Sequence, residues 1–347
     1  DLHKAIRRQR QMCIRDSSGV GVADALMQPA RTYLQIVGGF CILNALIPIC
    51  SSYLRAFGFS KEPLYASIIG NVINFCLNAF FLFVLHKGVA GVATATVISR
   101  IINLVIVVLL GAVLVKAKQH PERESNRAVM GQIIRIGLPS ACETAIYNVS
   151  MTLVIRFLNQ MDAQGLNVTA RSYTMQITNF SYCVGAALAQ ANAIMTGWHI
   201  GAKEYDACDR GTKKAAVIGV IVAVILETVF TLCSGWIMQL FSKDPQMVSL
   251  VGKLLAIDIV LEIGRVTNLV YGQALKTSGD AVFPVVMGAC FMILCSVGGT
   301  YLFGIRLGLL AVGAYIGMTG DECVRAVGMY LRWKSGKWKE KGLVKSR

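Results

Sequence analysis

Charge is scarce in this 347-residue chain: Asp, Glu, Lys and Arg make up only 15% of it, where a soluble domain carries about a quarter. Its eleven cysteines form no C-x-x-C pair, which leaves neither a zinc site nor a disulfide framework of recognisable spacing. Most of them (Cys41, Cys50, Cys76, Cys142, Cys183, Cys233, Cys290 and Cys295) sit singly in apolar runs and read as small hydrophobes. The four histidines, His3, His86, His120 and His199, have no metal-ligand spacing to one another. No glycine-rich phosphate loop is present, which argues against ATP-driven pumping, and no nucleophile stands beside a base. These absences point away from an enzyme, and they imply no metal or organic cofactor.

What is abundant is apolar length. Hydrophobic residues make up 55% of the chain, and runs long enough to cross a bilayer core of about 30 Å recur along it. The expected fold is an all-α polytopic membrane protein with nine spans, at 32–54, 64–85, 89–115, 133–157, 172–198, 214–240, 247–275, 281–304 and 308–331. The net charge of +15 lies mostly in short connectors and the tail, so it indicates a cytoplasmic face rather than nucleic acid. Assigning alternate connectors to opposite sides puts the polar segment 116–132 and the C-terminus in the cytoplasm. Lys87, Arg156, Arg171, Lys243 and Arg306 are then the few cations on the other side.

The chain also repeats itself. YLRAFGFSKEP (53–63) and ALKTSGDAVFP (274–284) share L-[R/K]-x-x-G-x4-P. Each is followed by an apolar span, a connector with Gly88 or Gly308, and a small-residue start to the next span. The second copy follows the fourth of six spans after the linker, but the first copy follows the first span present. Matching halves therefore imply about nine of an expected twelve helices, in parallel-repeat lobes with the first incomplete. The expected division is a partial N-lobe of three helices (19–115), a linker (116–132), a six-helix C-lobe (133–331) and a basic tail (332–347). Residues 1–18, with no initiator Met and no apolar leader, are expected to be non-native.

Charges inside the spans are the candidates for chemistry. In LLAIDIVLEIGRVTNLV (254–270), Asp258, Glu262, Arg265 and Asn268 fall within roughly 120° of one helix face. Each ionised group at a helix centre costs about 2.5–3.5 kcal/mol on insertion scales, so the stripe must face a partner or a wet cavity. Glu262 and Arg265 are spaced to neutralise each other, and Asp258 lies near enough to the helix start to snorkel to water. A structural ion pair and a proton or cation site both remain open. Glu143 sits one turn into an apolar helix with Ser140, Thr144 and Tyr147 on its side, poised either to take a proton or to be held by free backbone N–H groups. Asn71, Asn74 and Asn78 form a stripe that reads as interhelical glue or as a cavity wall. Thr94 and Thr96 join them as candidate cavity-lining residues. Asp321, Glu322 and Arg325 can pair locally, and Glu227 is a lone mid-helix acid without an assigned role.

ARTYLQI (30–36), YLRAFGFSKEP, GVAGVATATVISR (88–100), IRIGLPSACE (134–143), TGWHIGAKEYDA (196–207) and ALKTSGD together resemble, in order and spacing, the multidrug and toxic compound extrusion (MATE) family. The resemblance implies a secondary antiporter of two six-helix lobes in the cell membrane, exporting amphiphilic, often cationic compounds against H⁺ or Na⁺. It implies a small-molecule substrate, a lipid bilayer and no nucleic acid as partners, and a monomer. It also implies a coupling role for Glu143 and for the acids around Glu262 and Asp258, with Arg265 standing where other branches carry an acid. Tyr147 and Asn268 are implied to line the cavity. The competing readings are a lipid-linked saccharide flippase of the same superfamily, which needs a cationic cleft, and an inactive transporter fragment.

Overall fold

In lipid an unpaired backbone N–H or C=O finds no water, so a spanning chain closes its hydrogen bonds within helices. The computed structural model describes residues 24–116, 126–161 and 165–341, and no strand occurs among them. Eleven helices follow in order: α1 Asp24–Gly39, α2 Ile42–Ala56, α3 Lys61–Ala79, α4 Gly88–Lys116, α5 Asn126–Met161, α6 Leu166–Gly201, α7 Tyr205–Leu232, α8 Ser234–Gln239, α9 Pro245–Thr277, α10 Val282–Phe291 and α11 Leu310–Lys334. Helix α3 runs on through π-helical turns to Val84, and α10 through similar turns to Arg306.

Each expected span is occupied by helix, with two corrections. The segment 32–54 is α1 and α2 bent by 45°, because the chain breaks just after the weakly helical pair Gly38–Gly39. The segment 214–240 is α7 followed by the short α8 rather than one span. The tail also starts later than expected: Arg332–Lys334 complete α11, and Lys337–Lys341 form a turn anchored by Trp338. The Trp338 ring stacks on Trp333 at 4.1 Å, and its Nε1 donates to the Trp333 carbonyl at 3.0 Å. Residues 1–18, most of the linker and residues 342–347 lie outside the described residues.

The sequence repeat is a repeat of backbone geometry. In the first copy Phe59 N donates to Leu54 O and Gly58 N to Arg55 O; in the second, Asp280 N donates to Leu275 O and Gly279 N to Lys276 O. Both are Schellman turns with a left-handed glycine, Gly58 at φ 88° and Gly279 at φ 92°. The following spans end alike as well. Leu85 N bonds Phe80 O and Lys87 N bonds Phe81 O, while Leu307 N bonds Leu302 O and Leu309 N bonds Phe303 O.

Contacts divide the chain into two compact units, residues 1–123 and 124–347. In the first, α4 is the helix against which α1, α2 and α3 pack. In the second, α9 is central, packed against α6, α7 and α11. Its buried face alternates apolar residues such as Leu254, Leu261 and Val270 with Asp258 and Glu262. Val266 sits where α6 and α7 both present glycine: a methyl added at Gly185 or at Gly219 would come 2.7 Å from a Val266 methyl. That contact brings three helices close together one turn from the buried acids.

Left-handed backbone costs an L-residue about 1–2 kcal/mol. Gly279→Ala should therefore lower the heat-unfolding midpoint in detergent, whereas Gly320→Ala, inside α11 where an added methyl meets nothing within 4 Å, should not lower it. Equal shifts would contradict the turn assignment.

Candidate functional site

Four helices and the bent α1–α2 pair are apolar enough to cross a membrane by length and composition: Lys61–Val84, Gly88–Val115, Tyr205–Leu232 and Val282–Arg306. Helices α5, α6, α9 and α11 are long enough, at 36, 36, 33 and 25 residues, but carry too many polar groups. Those groups converge. A cavity of about 550 Å³ inside the second unit is lined by all four of these helices, with Pro284 and Met292 from the α10 span.

The cavity wall is built from ion pairs. On α5, Glu143 accepts from Lys276 Nζ at 2.6 Å, an α5–α9 link across 133 positions of sequence. On α9, Arg265 is hydrogen-bonded to Glu262, lies 3.9 Å from Glu322 of α11, and stands 5.9 Å from the Tyr182 ring centroid of α6. Asn268 donates to Glu322 at 3.0 Å. On α11, Arg325 bonds both Asp321 oxygens at 2.9 Å and Glu322 at 2.8 Å. Charges in low dielectric persist only when paired in this way.

A second cluster lies behind this wall. Carboxylate oxygens of Glu227 on α7 and of Asp258 and Glu262 on α9 fall within 4.8 Å of one another. All three side chains are buried, at 0%, 1% and 0% exposure. Both Glu227 oxygens, Asp258 Oδ2 and Glu262 Oε2 lack a hydrogen-bond partner, as does the buried Ser181 hydroxyl of α6, which lies beside Glu227. Three acids thus share one guanidinium, Arg265, whose hydrogen bond goes to Glu262. The site can relieve that excess by holding protons or a cation bound through oxygen.

The structure gathers Glu143, Tyr147, Asp258, Arg265 and Asn268 onto one cavity, with Glu262 directly behind it. Asp258 does not snorkel: buried at 1% exposure, it faces α7 and the cavity instead of the helix end. Asn71, Asn74, Asn78, Thr94 and Thr96 belong to the first unit and are not among the cavity's lining residues. Asn78 donates to Asn74 at 3.0 Å and Asn74 to Ser99 at 3.2 Å, joining α3 to α4. The hydroxyls of Thr94 and Thr96 bond the carbonyls of Ala90 and Val92 in their own helix.

Sequence reasoning left Glu227 without a role and read Lys276 and Arg171 as connector charges. Arg171, taken for a connector charge, stands inside α6 on the cavity wall at 5% exposure. An arginine at i with Met175, Thr178 and Tyr182 at i+4, i+7 and i+11 was the available signal, since these positions share one helix face.

Comparison with known proteins agrees with this architecture. The family model MatE matches residues 18–80 and 139–302. The chain belongs to the MATE family. The uncharacterized transporter YisQ of Bacillus subtilis is 34% identical over 331 residues, covering 94% of this chain and 72% of the relative. The probable multidrug resistance protein NorM of Thermotoga maritima is 21% identical, covering 91% and 68%. Among solved structures, a MATE crystallised in its straight conformation superposes with a TM-score of 0.80 at 19% identity, over 96% of this chain and 76% of that one. A MOP-superfamily transporter from Pyrococcus furiosus superposes with 0.84 at 17%, over 96% and 75%. This MATE protein is thus a membrane transporter of small molecules, not an enzyme.

Removing one partner of a buried pair costs about 3–5 kcal/mol. Arg265→Met should therefore be strongly destabilised in detergent unfolding, and Glu262→Gln combined with Arg265→Met should recover much of the loss. A double variant no more stable than Arg265→Met alone would contradict the pairing.

Proposed function

We propose that this protein is a cation-coupled antiporter, exporting amphiphilic small molecules through the cavity in exchange for H⁺ or Na⁺. The observation that carries this reading is the buried trio Glu227, Asp258 and Glu262, whose acids outnumber the single guanidinium beside them. A site with surplus buried negative charge binds a cation in the conformation that buries it and releases the cation where water enters. Differential affinity of that kind is what shifts a two-state equilibrium, and it couples ion flow to the exposure of a substrate cavity. Glu143 holds Lys276, and a substrate competing for either would open that link. The basic tail and linker support a cytoplasmic C-terminus in the cell membrane.

A second reading, a flippase for lipid-linked saccharides, is favoured by one observation: Arg171 faces the cavity without a carboxylate partner.

The test is dye efflux from proteoliposomes containing this chain under an imposed pH or Na⁺ gradient. Glu227→Gln, Asp258→Asn and Glu262→Gln should each reduce gradient-driven efflux by about tenfold or more, on the scale of losing one charge-assisted interaction. Thr267→Ala, a half-buried position whose hydroxyl bonds its own helix, should not. Efflux at the unaltered rate with all three acids neutralised would refute the coupling role, and the gradient that drives efflux identifies the ion.

A further inference from the structure

The cavity's cations are not equivalent. Lys276, Arg265 and Arg325 each hold a carboxylate. Arg171 does not: its Nη2 reaches only the Met151 thioether at 3.6 Å, and its Nε has no partner. Among the described residues no acid lies within ion-pair distance of it. The charged or titratable groups around it are the Tyr147 and Tyr315 rings and the like-charged Arg265. A guanidinium at 5% exposure with nothing to neutralise it is costly to maintain, and such groups ordinarily pair or bind a ligand.

The surroundings describe the ligand. Arg171 offers a planar fork of donors suited to a carboxylate, sulfonate or phosphate. Around the cavity wall, with Met151 beside Arg171 itself, Met151, Met175, Met292 and Met318 supply flexible thioether surface that accommodates apolar bodies of varied shape. The volume of about 550 Å³ suits a drug-sized molecule.

We propose that Arg171 is the anchor for the anionic head of an amphiphilic substrate, whose apolar body lies against the methionines of α5, α6 and α11. This reverses the cationic preference implied by the family resemblance. It rests on the cavity being the substrate site, and it names the charge of the substrate that site takes. The anion comes either as a free organic acid or as the headgroup of an anionic lipid.

The experiment is equilibrium binding to the full chain in phosphatidylcholine nanodiscs, read by fluorescence anisotropy and run without any ion gradient. Fluorescein and a cationic rhodamine ester share one xanthene ring system and differ in charge. Fluorescein should bind more tightly than the rhodamine ester. Arg171→Gln should weaken fluorescein about tenfold or more and leave the rhodamine ester within about twofold, as expected for loss of one charge-assisted contact. Arg171→Lys, which keeps the charge without the fork, should fall between, and it serves as the folded variant if the glutamine form does not fold. Phosphatidylglycerol added to the disc that displaces fluorescein identifies the lipid headgroup as the source; no displacement identifies a soluble acid. Fluorescein binding that is indifferent to both substitutions, or tighter rhodamine binding with equal dependence on Arg171, would overturn the proposal. Because no gradient is involved, either result stands apart from success or failure of ion-driven efflux.

Discussion

An ionised side chain in an apolar interior must be matched by opposite charge, and where α7 meets α9 the three buried acids Glu227, Asp258 and Glu262 outnumber the one guanidinium beside them, Arg265. That imbalance organises the second unit. Arg265 neutralises Glu262 and leans toward Glu322, Arg325 is shared by Asp321 and Glu322, and Lys276 reaches back to Glu143. The Arg265–Glu322 and Lys276–Glu143 contacts tie α9 to α11 and to α5, while the other pairs neutralise charge within α9 or α11, and together they define the cavity wall. Among the described residues, Glu227, Asp258 and Glu262 share Arg265 and leave four carboxylate oxygens without a hydrogen-bond partner. In this account the missing charge is mobile, arriving as a proton or a cation, and transport follows from its arrival and departure.

The framework that holds these charges is apolar and locally repetitive. The Schellman turn and the π-helical exit recur in both units with the same hydrogen bonds, so a single supersecondary pattern ends spans of quite different neighbours. The apolar spans present large side chains such as Phe75, Phe83 and Leu232 on their exposed faces. The four polar helices bring their polar groups together around the cavity. Close packing around Val266, through Gly185 and Gly219, keeps α6, α7 and α9 near enough for carboxylates from two helices to meet.

Apolar runs marked where the helices lie, and four helices and the bent α1–α2 pair are apolar enough to cross a membrane by length and composition; the motif at 53–63 and 274–284 revealed the repeat. The face shared by Asp258, Glu262 and Arg265 followed from helical period alone. What period cannot report is which face of another helix lies opposite. Glu227 looked solitary because its partners lie about thirty residues on and in a different helix. Lys276 looked like a turn residue, although its ammonium spans to α5. Arg171 was assigned to a connector because hydropathy places helix ends where polarity rises, and in α6 polarity rises inside the helix. The stripe from Asn71 to Asn78 had two readings from sequence, and its hydrogen bonds to Ser99 and within the stripe depend on where α4 packs.

The central claim is that the Glu227–Asp258–Glu262 cluster exchanges a cation. Infrared difference spectroscopy on the full chain in lipid, between acidic sodium-free buffer and alkaline sodium-containing buffer, reads carboxyl protonation and carboxylate coordination directly. The account predicts a buried-carboxyl difference band that Glu227→Gln removes. Identical difference spectra for the unaltered chain and Glu227→Gln would contradict it.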